Sequence, residues 1–332
     1  MQKVKVRVAV IGLGRIGSAF DADRDHGPPF SHVGTILRDP GLQLAAVCDV
    51  DAAARDRFKR TWKASIPIYE STEAMLAATA YDIIVIAIPT AFHEKALSAC
   101  LKAGPKAVYC EKPMCGGAAV AAEVAARYDA AAVPLLVNYH RRWDQRFAAL
   151  RSALSSAGRT RSAHMVYVKG LRNYGAHAVD LLQNLFGRIV AVKSGTANSH
   201  DTEDPSFSAI LQFSDGLAVS LAGVDGLDYE LFDLDIVAER ARYRVEFGGQ
   251  SIRQQLPQAD RHFPGYTSLS EEERLVLDGP VHGMTEAYRE LAGWVIEKKP
   301  PSVSTAANAV SVHRVLDAIV ASAAASGKEI AL

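Results

Sequence analysis

This chain of 332 residues predicts an α/β protein: an N-terminal doubly wound parallel sheet, then an α+β domain with a large, mainly antiparallel open sheet. Three observations predict it. Residues 6–11, VRVAVI, form an almost wholly apolar run that passes directly into a glycine turn, and a strand with no wet side suits a parallel sheet covered on both faces. Runs of the same kind then alternate with helical segments as far as residue 139. Beyond residue 142 the rhythm changes to short strands, two of them joined across Asp215-Gly216, a strong hairpin turn.

The turn after the first strand reads GLGRIG, with Gly12, Gly14 and Gly17 in a G-x-G-x-x-G pattern around Leu13, Arg15 and Ile16. Missing side chains let such a turn close, let its backbone approach a pyrophosphate and let the next helix pack on the strand. Amides at that helix start would face the phosphates. Glycine turns of this kind also serve as ordinary strand-to-helix loops, so the context decides. The helix expected after Gly17 is interrupted by DADRDHGPPF, residues 21–30, a loop inserted into the first crossover. Ser31 is placed to cap a helix through Leu37, and Pro40-Gly41 ends it before a second strand at 42–48.

Asp49 stands at the carboxyl end of that second strand, where a dinucleotide fold sets an acid against the adenosine ribose hydroxyls. An acid there favours NAD over NADP, although Arg15, Arg55 or Arg57 could reach a 2'-phosphate. The usual separation from the first glycine is ~20 residues; Asp49 comes later because of the inserted loop. Asp49 could equally cap the helix of 52–62, and the two roles are compatible.

The alternation continues with a short extended piece at 66–69, a helix at 72–78 and a buried strand at 82–88, DIIVIAI. Pro89-Thr90 ends that strand, with Thr90 expected to cap a helix over 91–103 that Gly104 closes. Strands at 106–110 and 134–139 complete a five-stranded parallel sheet whose ligand must lie along its carboxyl edge. Glu111-Lys112-Pro113 follows the fourth strand on that edge. A lysine held by a neighbouring glutamate and a stiff proline puts a cation near a reacting hydroxyl or carbonyl oxygen, whereas by composition alone the tripeptide is a surface turn.

Lys+Arg and Asp+Glu both total 37, which gives no field to gather nucleic acid or an anionic membrane and points to a small-molecule partner. MQKVKVR leads straight into the first strand, and no run approaches the ~20 apolar residues of a membrane span. A cytoplasmic protein is expected. Cys48, Cys100, Cys110 and Cys115 have neither metal-type spacing nor the density of a disulfide framework, so reduced thiols and no metal are expected.

In the second half a helix is expected at 147–155 and strands at 163–168, 190–198, 207–213, 217–223, 233–238 and 242–247. Helices should cover one face of this sheet and leave the other free to pair with a second subunit. Between the first of these strands and the rest, Ala178, Leu181, Leu182 and Leu185 follow helical spacing up to Gly187. His177 would then stand at the helix start, where the dipole does not favour its cation and leaves it neutral, as a proton acceptor. Tyr167, Lys169, Arg172 and Tyr174 either contact substrate or decorate the strand and loop. Residues 258–280, with Pro264-Gly265 and three glutamates at 271–273, read as a loop; helices follow at 283–297 and 305–324, the last packing back on the first domain.

Together GLGRIG, Asp49, the IPTAFH run of 88–93, the EKP of 111–113 and the GAHAVD of 175–180 resemble the glucose-fructose oxidoreductase, inositol dehydrogenase and MocA family along the whole chain. That resemblance implies an NAD(P)-binding Rossmann domain over 1–140 and a substrate-binding and oligomerising domain over 141–332. It implies that Lys112 is the catalytic lysine beside the nicotinamide, that Glu111 touches the cofactor ribose, and that Pro89, Thr90 and His93 line the nicotinamide side. For His93, an exposed place on the first turn of a helix is the competing reading. Asn138 and Arg141, in the stretch that leaves the cofactor domain, would begin to meet substrate. His177 would be the general base. The family's acid four residues earlier is Asn173 here, which can orient the imidazole but not stabilise its cation by charge, so His177 acts alone or shares the proton with Lys112. YVKGLRNYGAH, with Asn173 and Tyr174, resembles members acting on sugars or nucleotide-activated sugars. The resemblance thus implies an NAD-dependent oxidoreductase, assembled as a homo-oligomer through the C-terminal sheet, that exchanges hydride with a polyhydroxylated substrate. The alternatives are a silent nicotinamide-binding sensor and an enzyme that uses a transient internal oxidation for elimination or hydrolysis.

Overall fold

Strand formation follows the apolar runs, and helix starts follow the short polar residues that precede them. The computed structural model describes residues 5–22, 27, 29–197, 203–225, 229–271, 273–279 and 283–332. In chain order the elements are β1 (Val6–Ile11), α1 (His32–Arg38), β2 (Leu42–Cys48), α2 (Ala52–Trp62), β3 (Ile68–Tyr69), α3 (Thr72–Ala78), β4 (Ile83–Ile86), α4 (His93–Ala103), β5 (Ala107–Cys110), α5 (Ala118–Ala130) and β6 (Leu135–Val137). They continue with α6 (Gln145–Ser156), β7 (Thr160–Tyr167), α7 (Ala176–Phe186), β8 (Ile189–Ala197), β9 (Phe207–Phe213), β10 (Ala218–Gly223), β11 (Phe232–Ala238), β12 (Arg242–Glu246), β13 (Ser251–Gln255), β14 (Pro257–Ala259), β15 (Thr267–Leu269) and β16 (Arg274–Asp278). Two helices, α8 (Met284–Glu297) and α9 (Ala306–Ala324), and the strand β17 (Ile330–Ala331) end the chain.

Side chains cap the helices as the polar residues suggest. Ser31 Oγ accepts the Gly34 amide at the head of α1, and Ser71 does the same for Ala74 at the head of α3. The cap of α2 is Asp51, which accepts from Ala53, and not Asp49. Thr90 caps nothing: a 3-10 turn, Thr90–Phe92, precedes α4, which starts at His93.

The chain divides into two compact units, Met1–Trp143 with His282–Ser311, and Asp144–Val281 with Val312–Leu332. Residues 283–311, expected with the second domain, thus cluster with the first, because the apolar side of α8 completes its core. Tyr288 and Leu291 are fully buried among Val8, Val10, Val85 and Tyr109. Trp294 Nε1 donates to the Lys106 carbonyl at 2.8 Å, and the Val137 amide donates to the Ser304 carbonyl at 2.8 Å. The sheet of this unit is wholly parallel in the order β3-β2-β1-β4-β5-β6. Six strands replace the expected five, since the short piece at β3 pairs with β2.

The second unit carries a nine-stranded sheet, β16-β13-β12-β11-β7-β10-β9-β8-β17, antiparallel except between β7 and β10. Strands such as β9 and β11 alternate buried and less buried residues, the signature of a sheet with one covered face. Asp215-Gly216 makes the expected hairpin between β9 and β10, with Gly216 at φ +90° and Asp215 accepting the Leu217 amide. The Phe186 ring of α7 meets Phe213 edge-on at 5.8 Å, and Ser322 of α9 accepts the Ser194 amide. The described part of 258–280 is loop only in places. It supplies the β14–β15 hairpin and the edge strand β16, beside which Glu273 pairs with Arg244 of β12. Residues 198 and 280 lie outside the described residues.

Candidate active site

Parallel pairing sets the residue after each strand along one edge. Ile11 pairs with Cys48 and with Ile86, Ile86 with Cys110, and Cys110 with Val137. Asp49, Gly12, Ala87, Glu111 and Asn138 therefore follow one another across the carboxyl edge, tied by bonds from the Gly12 amide to the Cys48 carbonyl, Glu111 to Ile86 and Asn138 to Cys110, at 2.8, 2.8 and 2.9 Å.

The three glycines of the turn differ in what they make room for. Gly12 has φ +97°, and a Cβ there would fall 2.3 Å from the Ala87 carbonyl oxygen; at Gly17 it would fall 2.1 Å from the Gly12 oxygen. Those two are glycines so that the turn can close. A Cβ on Gly14 would meet nothing within 4 Å. Gly14 opens onto a cleft of about 440 Å³ whose lining includes Gly12, Asp49, Thr72, Pro89, Phe92 and Lys95. Asp49 is half-buried at its rim; one carboxylate oxygen accepts the Leu13 amide at 2.7 Å and the other the Asp51 amide at 2.9 Å. Each oxygen keeps lone pairs for a further donor. Arg55, a candidate for reaching a phosphate, donates instead to the backbone oxygens of Asp49 and Val50 and pairs with Glu70 at 3.2 Å. Arg15 is exposed over the Phe20 ring, while Ile16 packs on the core. Open backbone beside a ribose-type acid fits a dinucleotide's pyrophosphate and adenosine.

The next residues along the edge are turned inward more than their types suggest. His93 is fully buried, with Nδ1 2.9 Å from the Pro113 carbonyl and Nε2 2.7 Å from that of Ile88. It is neither an exposed first-turn residue nor one that faces a ligand: it braces two turns whose carbonyls have no ladder partner. Thr90 is half-buried and Pro89 exposed. Asn138 spends its side chain within the unit, accepting from Tyr109 Oη at 2.6 Å and donating to Glu111 Oε1 at 2.6 Å, and so is not presented to substrate. Arg141 is buried as well. Glu111 is buried, and its Oε1 also lies 3.0 Å from His32 Nε2. Burial alone would raise its pKa, but the hydrogen bond and charge of His32, with Asn138 and Lys112, hold it below the ordinary 4.5. Lys112 is half-buried; its amide donates to Glu111 Oε2 at 3.3 Å, and its peptide to Pro113 is cis.

In the second unit the chain enters α7 through a π-helical turn, Gly170–Gly175. His177 is the second residue of α7, but with the π-helical turn seven residues of helical backbone precede it, and the argument from a free N-terminus does not apply. Asp204 holds that turn, accepting the Arg172 amide at 2.8 Å and the Asn173 amide at 2.9 Å. A Cβ on Gly170 would fall 2.2 Å from an Asp204 oxygen. His177 is 9 % exposed and meets the Tyr174 ring edge-on at 6.5 Å. Tyr174 Oη donates to Glu230 at 2.9 Å, Lys169 pairs with the same carboxylate, and its ammonium lies 5.3 Å over the Tyr174 ring. Those donors lower the Glu230 pKa. Asn173 is exposed. Sequence reasoning missed Asp204, Glu230 and the role of His32. The only available signal was Ser31-His32 at a helix start, since Asp204 and Glu230 are remote in sequence from what they hold.

Among the described residues no group of three or more His, Cys, Asp or Glu could hold a metal, and all four cysteines are free and buried. No helix there is long and apolar enough to cross a membrane. A parallel sheet with an open glycine turn and an acid closing its second strand has the architecture of a dinucleotide-binding fold. The profile of the oxidoreductase family with an NAD-binding Rossmann fold matches residues 6–139. Inositol 2-dehydrogenase 2 of Mycolicibacterium vanbaalenii is 28% identical over 276 residues, 76% of each chain. An NADP(+)-dependent scyllo-inositol 2-dehydrogenase of Bacillus subtilis, IolW, is 25% identical over 58% of this chain and 54% of its own. The WlbA dehydrogenase of Bordetella pertussis, solved with NADH and UDP-GlcNAcA, superposes with a TM-score of 0.79 at 19% identity, covering 100% of this chain and 99% of its own. Over residues 6–139 the chain is thus similar to the Gfo/Idh/MocA family of oxidoreductases.

Proposed function

We propose that this protein is an NAD-dependent dehydrogenase acting on a secondary alcohol, or on the matching ketone, of a sugar, nucleotide sugar or inositol-like polyol. The observation that carries the reading is the open backbone at Gly14 beside the Asp49 carboxylate, on the same strand edge that delivers Glu111-Lys112. The inositol dehydrogenases among its relatives support the substrate class.

Gly12, Gly14, Arg15, Ile16 and Gly17 supply the turn that would hold the pyrophosphate, and Asp49 would accept from the ribose hydroxyls. A second negative charge at the 2'-position would lie against Asp49, with Arg55 already committed to carbonyls, so NAD is preferred over NADP. Pro89, Thr90, Glu111 and Lys112 form the nicotinamide side. The nicotinamide, when bound, takes up the hydride in oxidation and returns it in reduction. Lys112 brings its ammonium to the reacting oxygen, lowering the cost of negative charge there. In the second unit His177 is the group that exchanges a proton, and Asn173 and Tyr174 offer hydrogen bonds to hydroxyls. The protein works in the cytoplasm, in keeping with its free thiols, and assembles through its C-terminal sheet.

The test is absorbance at the reduced-nicotinamide band with NAD and then NADP, against inositols, free sugars and nucleotide sugars. NAD with one polyol class gives turnover. Lys112→Ala lowers kcat by about 100-fold or more while NAD affinity holds within about twofold; a variant with wild-type kcat would refute the assignment.

A further inference from the structure

The residues behind Glu111 form a continuous buried chain that the reaction as proposed does not use. His32 is fully buried at the first position of α1; its Nε2 is 3.0 Å from Glu111 Oε1 and its Nδ1 is 3.0 Å from Tyr288 Oη on α8. Asn138, at the end of β6, donates to the same Glu111 oxygen and is itself fixed by Tyr109 Oη. The rings of His32, Tyr109 and Tyr288 stack edge to face with centroids 5.2 to 6.0 Å apart. Four separate segments, α1, β5, β6 and α8, thus converge on one carboxylate in a dry core.

The Glu111 carboxylate only accepts, so the imidazole carries a proton on Nε2 and donates to it, while Nδ1 shares a hydrogen bond with the Tyr288 phenol. Asn138 is oriented by Tyr109 so that its amide nitrogen faces the carboxylate, and Glu111 Oε2 is left to receive the Lys112 amide at 3.3 Å. Every donor points toward Glu111, and Glu111 fixes the backbone of Lys112. Buried networks of this kind are rigid when each member is satisfied, and costly when one is removed.

We infer that His32 is a positioning residue for the reaction: with Tyr288 and Asn138 it clamps the Glu111 carboxylate inward, so that Glu111 acts as the anchor of the Lys112 turn. The inference rests on the reading of Lys112 as the residue that meets the reacting oxygen. Its structural part stands apart from that reading and is tested without turnover.

His32→Leu removes the donor and keeps the bulk; His32→Gln retains an N–H toward Glu111 and an acceptor toward Tyr288. Tyr288→Phe, a milder change, removes only the hydroxyl. Hydrogen exchange followed by mass spectrometry reads peptides covering 110–116. The Leu variant accelerates exchange there about tenfold or more, leaving β1 and β4 protected; Tyr288→Phe gives a smaller acceleration confined to the same peptides, and the Gln variant stays near wild type. Where a polyol substrate turns over, kcat of the Leu variant falls about tenfold or more with NAD affinity unchanged, and Gln rescues it. Unchanged exchange at 110–116 in both the Leu and Phe variants, loosening that spreads evenly through the unit, or a Gln variant as impaired as Leu overturns the clamp. Confined loosening in a protein that turns over no panel substrate keeps the clamp and removes the catalytic reading of Lys112.

Discussion

Gly12, Gly14 and Gly17 are indistinguishable as letters, yet only two of them are glycines for the sake of the fold. The strand and turn were legible because the apolar run and the spacing are local properties. Which glycine faces open space was not, because that depends on Ala87 and Ile88, some 75 residues on. Gly12→Ala puts a side chain on a left-handed residue and against a carbonyl, and should cost about 3 kcal/mol in thermal or urea unfolding. Gly14→Ala should leave unfolding within about 0.5 kcal/mol of wild type and weaken NAD binding about tenfold or more, measured by calorimetry. Equal stability losses in the two variants would contradict the distinction. His93 and Asn138 show the opposite limit: their residue types advertise a site, but their polar atoms are spent on Ile88, Pro113, Tyr109 and Glu111.

At the scale of elements, α7 was readable from Ala178 onward by its 3.6-residue apolar stripe, whereas the π-helical turn before it was not. A wider turn has no periodic signature over six residues, and its capping acid, Asp204, comes 30 residues later. Asp204→Ala should therefore lower stability by about 1–3 kcal/mol and, in an active enzyme, reduce kcat more than it changes NAD affinity, since the turn carries Asn173 and Tyr174 and leads into His177. Scanning calorimetry and steady-state kinetics check both. Residues 258–280 were misread for a related reason. Edge strands tolerate charge that central strands do not, so Glu273, which pairs with Arg244 there, concealed the adjoining strand β16.

For the molecule as a whole, the strands up to β12 were visible, but not β13 to β17 and not the sheet order. Nothing local says that β7 lies parallel to β10 or that β17 closes the far edge. Exposed Ile210 and Val237 lie on that sheet, among strands laced by the pairs of Arg242 with Asp235 and Arg253 with Glu246. Assembly through it predicts light scattering at a multiple of the chain mass, and charge reversal at Asp235 and Glu246 should shift that mass downward. A monomer at all concentrations would refute the assembly.

The first unit is also a matter of timing. Its core needs Tyr288 and Leu291, its β5 needs Trp294, and the end of β6 needs Ser304. When β6 leaves the ribosome, none of these residues has been made. At bacterial and eukaryotic elongation rates the nascent sheet waits on the order of ten seconds while the whole stretch 144–281 is synthesised. The glycine turn and its strand edge are thus written first and finished nearly last, and a chain released early would carry the signature of a cofactor domain without the helix that seals it.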